Sequence, residues 1–428
     1  MNSEKEWRNL TLKAAGISLI DCDHKTPSAA ADGYPYIAIP QLRDGHITLD
    51  GVRRISSEDY KEWTKKLEPQ EDDVIVVRRC NSGQSAHVPA GLKCAIGQNL
   101  VVLRTDGKSV LPEYLRWLLR GEDWWSEVRK YINVGAVFDS LRCRDIPNFE
   151  LPIPPLDVQR EISQVLSALD DRITLLRETN TTLEAIAQAL FKSWFVDFDP
   201  VHAKMQGRAP EGMSEATAAL FPDSFEESEL GPVPKGWRVV SIYEVAKLIY
   251  GAPFASKQFK SDPHGKPLVR IRDLKDEQPG VYTEEVHPKG YLLQPGDITV
   301  GMDGEFRAYM WGGEEAWLNQ RVCVFQPVNG ANSVFVRLSI TPLLAAVEAS
   351  ETATTVIHLG KNDIDRFKIC HPRDLVLAAF ASLTTSVYQR IVGNKQMIQN
   401  LASLRDTLLP RLISGQLRVN SIAELAES

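Results

Sequence analysis

The fold is decided by the stretch L-R-C-R-D-I-P-N-F-E-L-P-I-P-P-L-D-V-Q-R-E-I at residues 141–162, because its pattern returns as L-G-K-N-D-I-D-R-F-K-I-C-H-P-R-D-L-V-L-A-A-F at 359–380. The matched positions keep an offset of 218 residues as far as Leu190 and Leu408. Weaker matches upstream have offsets of 232, then 224, then 222. Short apolar matches also arise by chance, but the conserved order and spacing favour two copies of one fold whose loops differ in length.

The repeat predicts two half-units, each a globular block followed by a long helix. Short β-branched runs at 74–77, 100–103, 298–300 and 321–325 predict strands, and 111–129 has helical spacing. The fold class is therefore α+β. We place the first block at 1–155, its helix at 156–199, a proline-rich linker at 200–235, the second block at 236–373, its helix at 374–416 and a C-terminal tail at 417–428.

Both long helices carry an apolar stripe with steps of three and four residues, the heptad pattern of a coiled coil. Asn180 interrupts the first stripe, and Thr384, Asn394 and Arg405 interrupt the second. The stripe positions are Ile162, Leu166, Leu169, Ile173, Leu176, Leu183, Leu190 and Trp194 in the first helix, and Phe380, Val387, Ile391, Ile398, Leu401, Leu408 and Leu412 in the second. Each stripe could pack on its own block, but the repeat favours packing of the two helices on each other, with approximate two-fold symmetry.

The composition narrows the class of protein. Apolar residues make up 43% of the 428 residues and charged residues 25%, as in soluble globular proteins. We expect no membrane-spanning helix and no secretory signal, and the six cysteines, none in a CxxC pair, fit a reduced cytoplasmic compartment. A net charge of −7 argues against coating of nucleic acid through bulk charge, although local basic patches remain compatible with DNA reading.

Familiar catalytic motifs are missing from the sequence. It has no phosphate-binding GxxxxGK[ST] loop, no HExxH, no GxSxG and no GxGxxG after a strand. The carboxylates from Asp297 to Glu305 end at Arg307 where a nuclease of the PD…(D/E)xK type has lysine. We therefore expect a binding or scaffolding role, with no metal and no cofactor.

In several segments the chain resembles the DNA-specificity (S) subunit of type I restriction–modification systems. These segments are 151–162, L-P-I-P-P-L-D-V-Q-R-E-I; 189–198, A-L-F-K-S-W-F-V-D-F; 231–237, G-P-V-P-K-G-W; and 408–417, L-L-P-R-L-I-S-G-Q-L. The second half departs from the pattern at 369–373, I-C-H-P-R. The resemblance implies two target-recognition domains, each reading one part of a split DNA sequence, and two long antiparallel helices that space them. It also implies docking of two methyltransferase (M) subunits, a motor/nuclease (R) subunit for cleavage, and no catalytic residues in the chain itself.

The side chains that read base edges are mainly Arg, Lys, Asn and Gln. Candidates lie at strand ends and loops shared by the two halves: Lys25, Arg43, Arg78, Arg79, Asn81, Ser82, Gln84, Lys257, Arg270, Arg272, Lys275, Arg307 and Arg321. Any one of them could instead be a solvated surface charge, and Asn81 and Ser82 could be turn residues. Because Arg270 aligns with Ala38 and Arg78 with Met302, we predict two different half-sites.

Two other classes stay open at this stage. One is an enzyme, such as a fused nuclease or methyltransferase, which methyl transfer by the chain alone would reveal. The other is a coiled-coil scaffold that binds random and cognate DNA alike. A variant of the main reading is a specificity subunit that serves a fused restriction–methylation enzyme. The acidic first helix further predicts that the free chain binds DNA poorly and needs its partners for affinity.

Overall fold

The computed structural model describes residues 7–22, 25–134, 138–350 and 357–419. The predicted tail at 417–428 thus lies largely outside the described residues. The chain divides into two compact units: unit 1 is Met1–Asp171 with Ala402–Ser428, and unit 2 is Arg172–Leu401. Each unit therefore contains a part of both long helices.

Unit 1 is a mixed helix and sheet structure. Its strands are β1 (Arg8–Thr11), β2 (Ile17–Asp21), β3 (Tyr34–Ile37), β4 (Leu42–Arg43), β5 (His46–Ile47), β6 (Arg53–Ile55), β7 (Val74–Val77), β8 (Ser85–His87), β9 (Ala95–Ile96), β10 (Leu100–Thr105), β11 (Asn133–Val134), β12 (Asp139–Ser140) and β13 (Glu150–Ile153). Its helices are α1 (Ser57–Thr64), α2 (Pro112–Leu118), α3 (Glu122–Tyr131), the start of α4 (Leu156–Phe195) and the end of α9 (Asp374–Ile413).

The central sheet of unit 1 has the order β2-β10-β7-β8 and is antiparallel throughout. Side chains alternate between the two faces of a strand, and here both faces are covered. Val74 and Val76 belong to one apolar cluster, which includes α2 and α3, whereas Ile75 and Val77 belong to another beneath β3 and β9. This double burial explains why β7 reads as an unbroken apolar run.

Unit 2 has the remaining elements. Its strands are β14 (Phe225–Glu226), β15 (Val233–Pro234), β16 (Arg238–Ser241), β17 (Ala246–Tyr250), β18 (Lys266–Val269), β19 (Tyr282–Thr283), β20 (Leu292–Leu293), β21 (Ile298–Gly301), β22 (Ala308–Met310), β23 (Ala316–Leu318), β24 (Val322–Pro327) and β25 (Lys368–His371). Its helices are α5 (Asp199–Met205), α6 (Glu215–Ala218), α7 (Ser333–Ser350), α8 (Lys361–Ile364), most of α9 (Asp374–Ile413) and the rest of α4.

The central sheet of unit 2, β17-β24-β21-β22, repeats the order and the antiparallel pairing of the sheet in unit 1. A parallel pair stands at the corresponding place in each unit, β3 with β9 and β18 with β23. The strand that leads into each long helix also pairs with the first strand of its block, β1 with β13 and β16 with β25. The offsets of 232, 224, 222 and 218 read from the sequence relate β3 to β18, β7 to β21, β10 to β24 and β13 to β25.

The predicted helix over 111–129 is wrong in its continuity. The structure has two helices, α2 and α3, separated at Leu119–Gly121. Gly121 is extended at the N-terminus of α3, and a Cβ added there would lie 3.0 Å from Ile413. The close approach of α9 therefore favours glycine at this point, and glycine weakens a continuous helix.

The long helices α4 and α9 each span 40 residues. In unit 1, Ile162 and Leu166 of α4 share an apolar cluster with Leu409 and Leu412 of α9. In unit 2, Ala187 and Trp194 of α4 share another with Phe380 and Ile391 of α9. All predicted stripe positions are buried or half-buried. Both helices begin shortly after a proline, as helix starts tolerate, and α9 ends before Gly415, whose φ is +74°.

The segment predicted as a linker, 200–235, carries α5, α6, β14 and β15. Val201 and Phe221 are fully buried in the main cluster of unit 2. The prolines that suggested a linker therefore lie within or between short elements that pack against the rest of unit 2.

Two helices hold 18-residue windows apolar enough to cross a membrane by length and composition alone, in α7 and α9. In both, part of the apolar surface lies inside the protein: Val334, Phe335 and Ile340 of α7 and Phe380 of α9 contribute to the core of unit 2. A third of each window, 33%, is buried, and length and composition alone are weak evidence of a membrane span.

Candidate nucleic-acid interface

The loop between β7 and β8 is a candidate surface of unit 1 that several hydrogen bonds hold in place. Cys80 and Asn81 both have left-handed backbone conformations, with φ of 61° and 72°. The amides of Asn81 and Ser82 donate to the carboxylate of Asp139 at 3.2 and 2.9 Å. Desolvation raises the pKa of Asp139, but these hydrogen bonds outweigh it, so the pKa is lowered and the carboxylate stays charged.

Ser82 and Arg78 hold this loop in place. Ser82 is buried, and its hydroxyl donates to the carbonyl of Arg78 at 2.8 Å, which is the turn role considered for it from the sequence. Arg78 is half-buried, and its Nε is enclosed without a hydrogen-bond partner among the residues that the structure describes. Arg79 and Gln84 are exposed at the two ends of the turn. Arg79 is thus better placed than Arg78 to reach a ligand.

The other candidates of unit 1 lie near β3 to β5. Arg43 is exposed on β4, and its Nε donates to the carbonyl of Pro40 at 3.3 Å. Lys25 is exposed, while its carbonyl accepts hydrogen bonds from Tyr36 and Trp63. Within the described ranges, neither cation has an acidic partner.

In unit 2, three of the candidate arginines are engaged by carboxylates. Arg270 binds Asp273 through Nε at 2.9 Å. Arg307 binds Glu348 at 2.5 Å, and Arg321 lies 3.6 Å from Asp303. By contrast, Lys257, Arg272 and Lys275 are exposed and have no ion-pair partner among the residues that the structure describes. These three are the cations that could contact a ligand without first breaking a contact.

Equivalent backbone positions of the two units carry different side chains. The amide of Arg78 donates to Asn99 at 2.8 Å, and that of Met302 donates to Arg321 at 2.9 Å. The carbonyls of Arg78 and Met302 then accept from the amides of Leu141 and Leu359, each at 2.8 Å. Yet Met302 is buried and Arg78 carries a charge, so the two frames present different chemistry at one place.

The polar residues that interrupt the helix stripes have partners inside each unit. In unit 1, Arg405 binds Asp170 at 2.6 Å, and His46 of β5 lies 3.3 Å from the other carboxylate oxygen. Burial raises the pKa of Asp170, but the contacts with His46 and Arg405 outweigh it and lower the pKa well below its usual range. In unit 2, the Asn394 amide donates to Asn180 at 2.8 Å.

Sequence reasoning noted Arg405 and the two asparagines but missed their connection and the role of Asp170. The signal was present, because Asp170 stands four residues after Leu166 and three before Ile173, on the apolar stripe. An acid and a base that occupy stripe positions of two helices are candidates for a buried pair.

Metal or covalent chemistry has little support in these residues. Across 7–22, 25–134, 138–350 and 357–419, no group of three or more His, Cys, Asp or Glu could hold a metal ion. Burial raises the pKa of the Cys94 and Cys323 thiols to about 12, so neither is a nucleophile at neutral pH.

Comparisons with known proteins identify sequences related to this chain. A sequence model of the type I restriction modification DNA specificity domain matches residues 21–185 and again 234–374. The chain is 27% identical over 413 residues to the type I restriction enzyme MjaIX specificity subunit of Methanocaldococcus jannaschii, covering 93% of this chain and 87% of the relative. It is 26% identical over 380 residues to the HindI specificity subunit of Haemophilus influenzae, covering 75% and 81%.

A solved structure has a similar fold. The crystal structure of a type I restriction–modification S subunit from M. genitalium aligns over 96% of this chain and 97% of that chain, with a TM-score of 0.55 and 15% identity. Two matches of the family model, together covering most of the chain, show that this protein belongs to the type I restriction–modification DNA-specificity subunit family.

Proposed function

We propose that the chain recognises an asymmetric, bipartite DNA sequence, with one half-site read by the domain at 1–155 and the other by the domain at 236–373. The observation that supports this proposal is the pair of sheets with one strand order and one set of pairings, in which equivalent backbone positions carry different residues, Arg78 in one and Met302 in the other. A shared frame positions each reader, and different side chains give each a different sequence.

Three of the exposed cations without a described ion-pair partner are the proposed direct readers. Arg79 reads the first half-site, and Arg272 and Lys275 read the second. The ion-paired arginines exchange their carboxylate partners for DNA phosphates and so set the register of the protein on the DNA. Base contacts specify sequence, and phosphate contacts position the protein. Ser82 acts through the loop rather than by contact, since its side chain is buried.

The two long helices act as an antiparallel coiled-coil spacer within a pseudo-two-fold repeat. The contacts of Asp170 with Arg405 and of Asn180 with Asn394 support this, because ten residues forward along α4 correspond to eleven backward along α9. The same helices dock two methyltransferase subunits, and restriction subunits join for cleavage in the cytoplasm. The chain supplies specificity and scaffolding, and its partners supply catalysis.

Mapping of methylated bases in cells that carry this chain with its methyltransferase partner tests the proposal. We expect one split sequence with two dissimilar parts and a fixed gap. A continuous site, two identical half-sites or random methylation would contradict it.

A further inference from the structure

Lys395 extends from α9 into the globular part of unit 2. Its side chain is 25% exposed, and its Nζ donates to Glu277 Oε1 at 2.6 Å and to the carbonyl of Met310 at 2.9 Å. Glu277 is itself only 10% exposed. A pair this enclosed is costly to break, since either charge would be left without compensation.

The backbone around Lys395 is shaped for this contact. The amide of Gly312 donates to Glu277 Oε1 at 3.0 Å. A Cβ on Gly312 would lie 2.4 Å from Lys395 Cδ, so only glycine leaves room for the lysine. Glu277 has a φ of 54°, a backbone conformation that residues other than glycine rarely adopt. The strained backbone and the glycine together indicate that the contact is built into the fold.

Glu277 ends the segment 270–277, which carries three of the candidate DNA-reading cations. The segment begins with a tight turn in which the amide and guanidinium of Arg270 both bind Asp273. Arg272 lies within this turn and Lys275 lies between the turn and Glu277, and both are exposed. The Lys395–Glu277 contact therefore fixes the far end of the segment that presents them.

The corresponding turn of unit 1 is also anchored on a long helix, by unrelated residues. At the offset of 232, Glu277 and Gln278 align with Gly45 and His46. His46 lies 3.3 Å from Asp170 of α4. Anchoring of the same turn by an acid in one unit and by a base in the other argues for a common requirement rather than a chance contact.

We infer that Lys395 is a positioning residue for sequence reading: by holding Glu277, it fixes the segment from which Arg272 and Lys275 read the second half-site. This inference rests on the proposed function and adds a residue on the spacer helix that acts on specificity without contacting DNA.

The test measures methylation of a DNA library with both half-sites randomised, by the chain in complex with its methyltransferase subunits. Lys395→Met is compared with Arg272→Ala and with Lys361→Met, a lysine of the exposed Lys361–Asp365 pair in the same unit. We expect Lys395→Met to reduce base discrimination at least about tenfold at the positions that Arg272→Ala also affects, which corresponds to about 1.4 kcal/mol. Other positions and the first half-site stay within about twofold.

The outcomes separate the inference from the function on which it rests. A wild-type complex without sequence preference would refute the proposed function itself. A selective wild type, with Lys395→Met either unchanged or weakened uniformly over the second half-site, would overturn the positioning role alone. If Lys395→Met unfolds unit 2 in a thermal scan, Glu277→Gln decides, because it keeps the acceptor for Gly312 and removes only the charge. The same positions must then lose discrimination to a smaller extent.

Discussion

The buried Asp170–Arg405 pair in unit 1 gives the sharpest stability prediction. The two side chains are 3% and 8% exposed. Removal of one partner from such a pair costs about 3–5 kcal/mol because the other charge stays buried. For Arg405→Met we expect the lower end, about 3 kcal/mol, since His46 still faces Asp170. Replacement of both residues, Asp170→Leu with Arg405→Met, removes the uncompensated charge and should recover most of this loss.

Hydrogen exchange read by mass spectrometry localises this effect. Amides of α4 before residue 171 and of α9 after residue 402 should exchange about a hundredfold faster in Arg405→Met, if they exchange through opening of unit 1. The control is Glu62→Gln, which removes an exposed ion pair with Lys65 and should cost less than about 0.5 kcal/mol. Equal exchange in Arg405→Met and the control would refute the reasoning.

The pH dependence of the same pair has a definite sign. The folded protein lowers the pKa of Asp170 below its value in the unfolded chain, through contacts with His46 and Arg405 that outweigh burial. Asp170 thus contributes stability above a pH of about 4, and this part is lost as the pH falls further. Acid unfolding of Asp170→Asn should lack this part of the dependence.

Three further predictions concern other sites. Asn180→Leu alone leaves the buried Asn394 amide without its partner and should lower the free energy of unfolding by about 1–3 kcal/mol. Replacement of both asparagines by leucine should give a higher thermal midpoint than the single variant, and the reverse order would contradict the pairing. Gly251→Ala should destabilise the protein by about 1–3 kcal/mol, because its Cβ would lie 2.1 Å from the Asn319 carbonyl oxygen. Gly393→Ala, in an open helical position, should stabilise it by about 0.5–1 kcal/mol. Urea unfolding measures both changes, and equal effects would be inconsistent with this packing. Arg79→Ala should weaken DNA binding by the complex through the first half-site only, by about 1–3 kcal/mol at one base position if Arg79 contacts a base. The control is Arg129→Ala on the exposed face of α3, and unchanged binding by Arg79→Ala would show that Arg79 does not belong to the interface.

Local and periodic features made the elements predictable from the sequence. The apolar run at 74–77 is a strand because both of its faces are buried. The heptad stripes are helices that begin at the predicted residues but end at Phe195 and Ile413, before the predicted ends at 199 and 416. Gly121 was a local signal for the break between α2 and α3 that was overlooked, whereas its close approach to Ile413, almost 300 residues away in the chain, has no signal in the sequence. The burial of Phe221 was missed because the prolines and acidic residues around it suggested a linker.

The candidate interface was predictable as a set of residue types but not as a set of contacts. The sequence indicates that Arg270, Arg272 and Lys275 cluster, but it does not reveal that Asp273 engages only the first of them. The Lys395–Glu277 contact joins residues 118 positions apart and has no periodic signature. Partners brought together by tertiary packing are therefore the part that sequence reasoning missed.

The central proposal is that paired helices hold two dissimilar DNA-reading domains a fixed distance apart. Insertion of one heptad into each helix, at matched positions of α4 and α9, lengthens the pair by about 10.5 Å, or about 3 base pairs of B-form DNA. Methylated-base mapping of this variant should return the wild-type half-sites with a gap about 3 base pairs longer. Unchanged half-sites with an unchanged gap would contradict the claim.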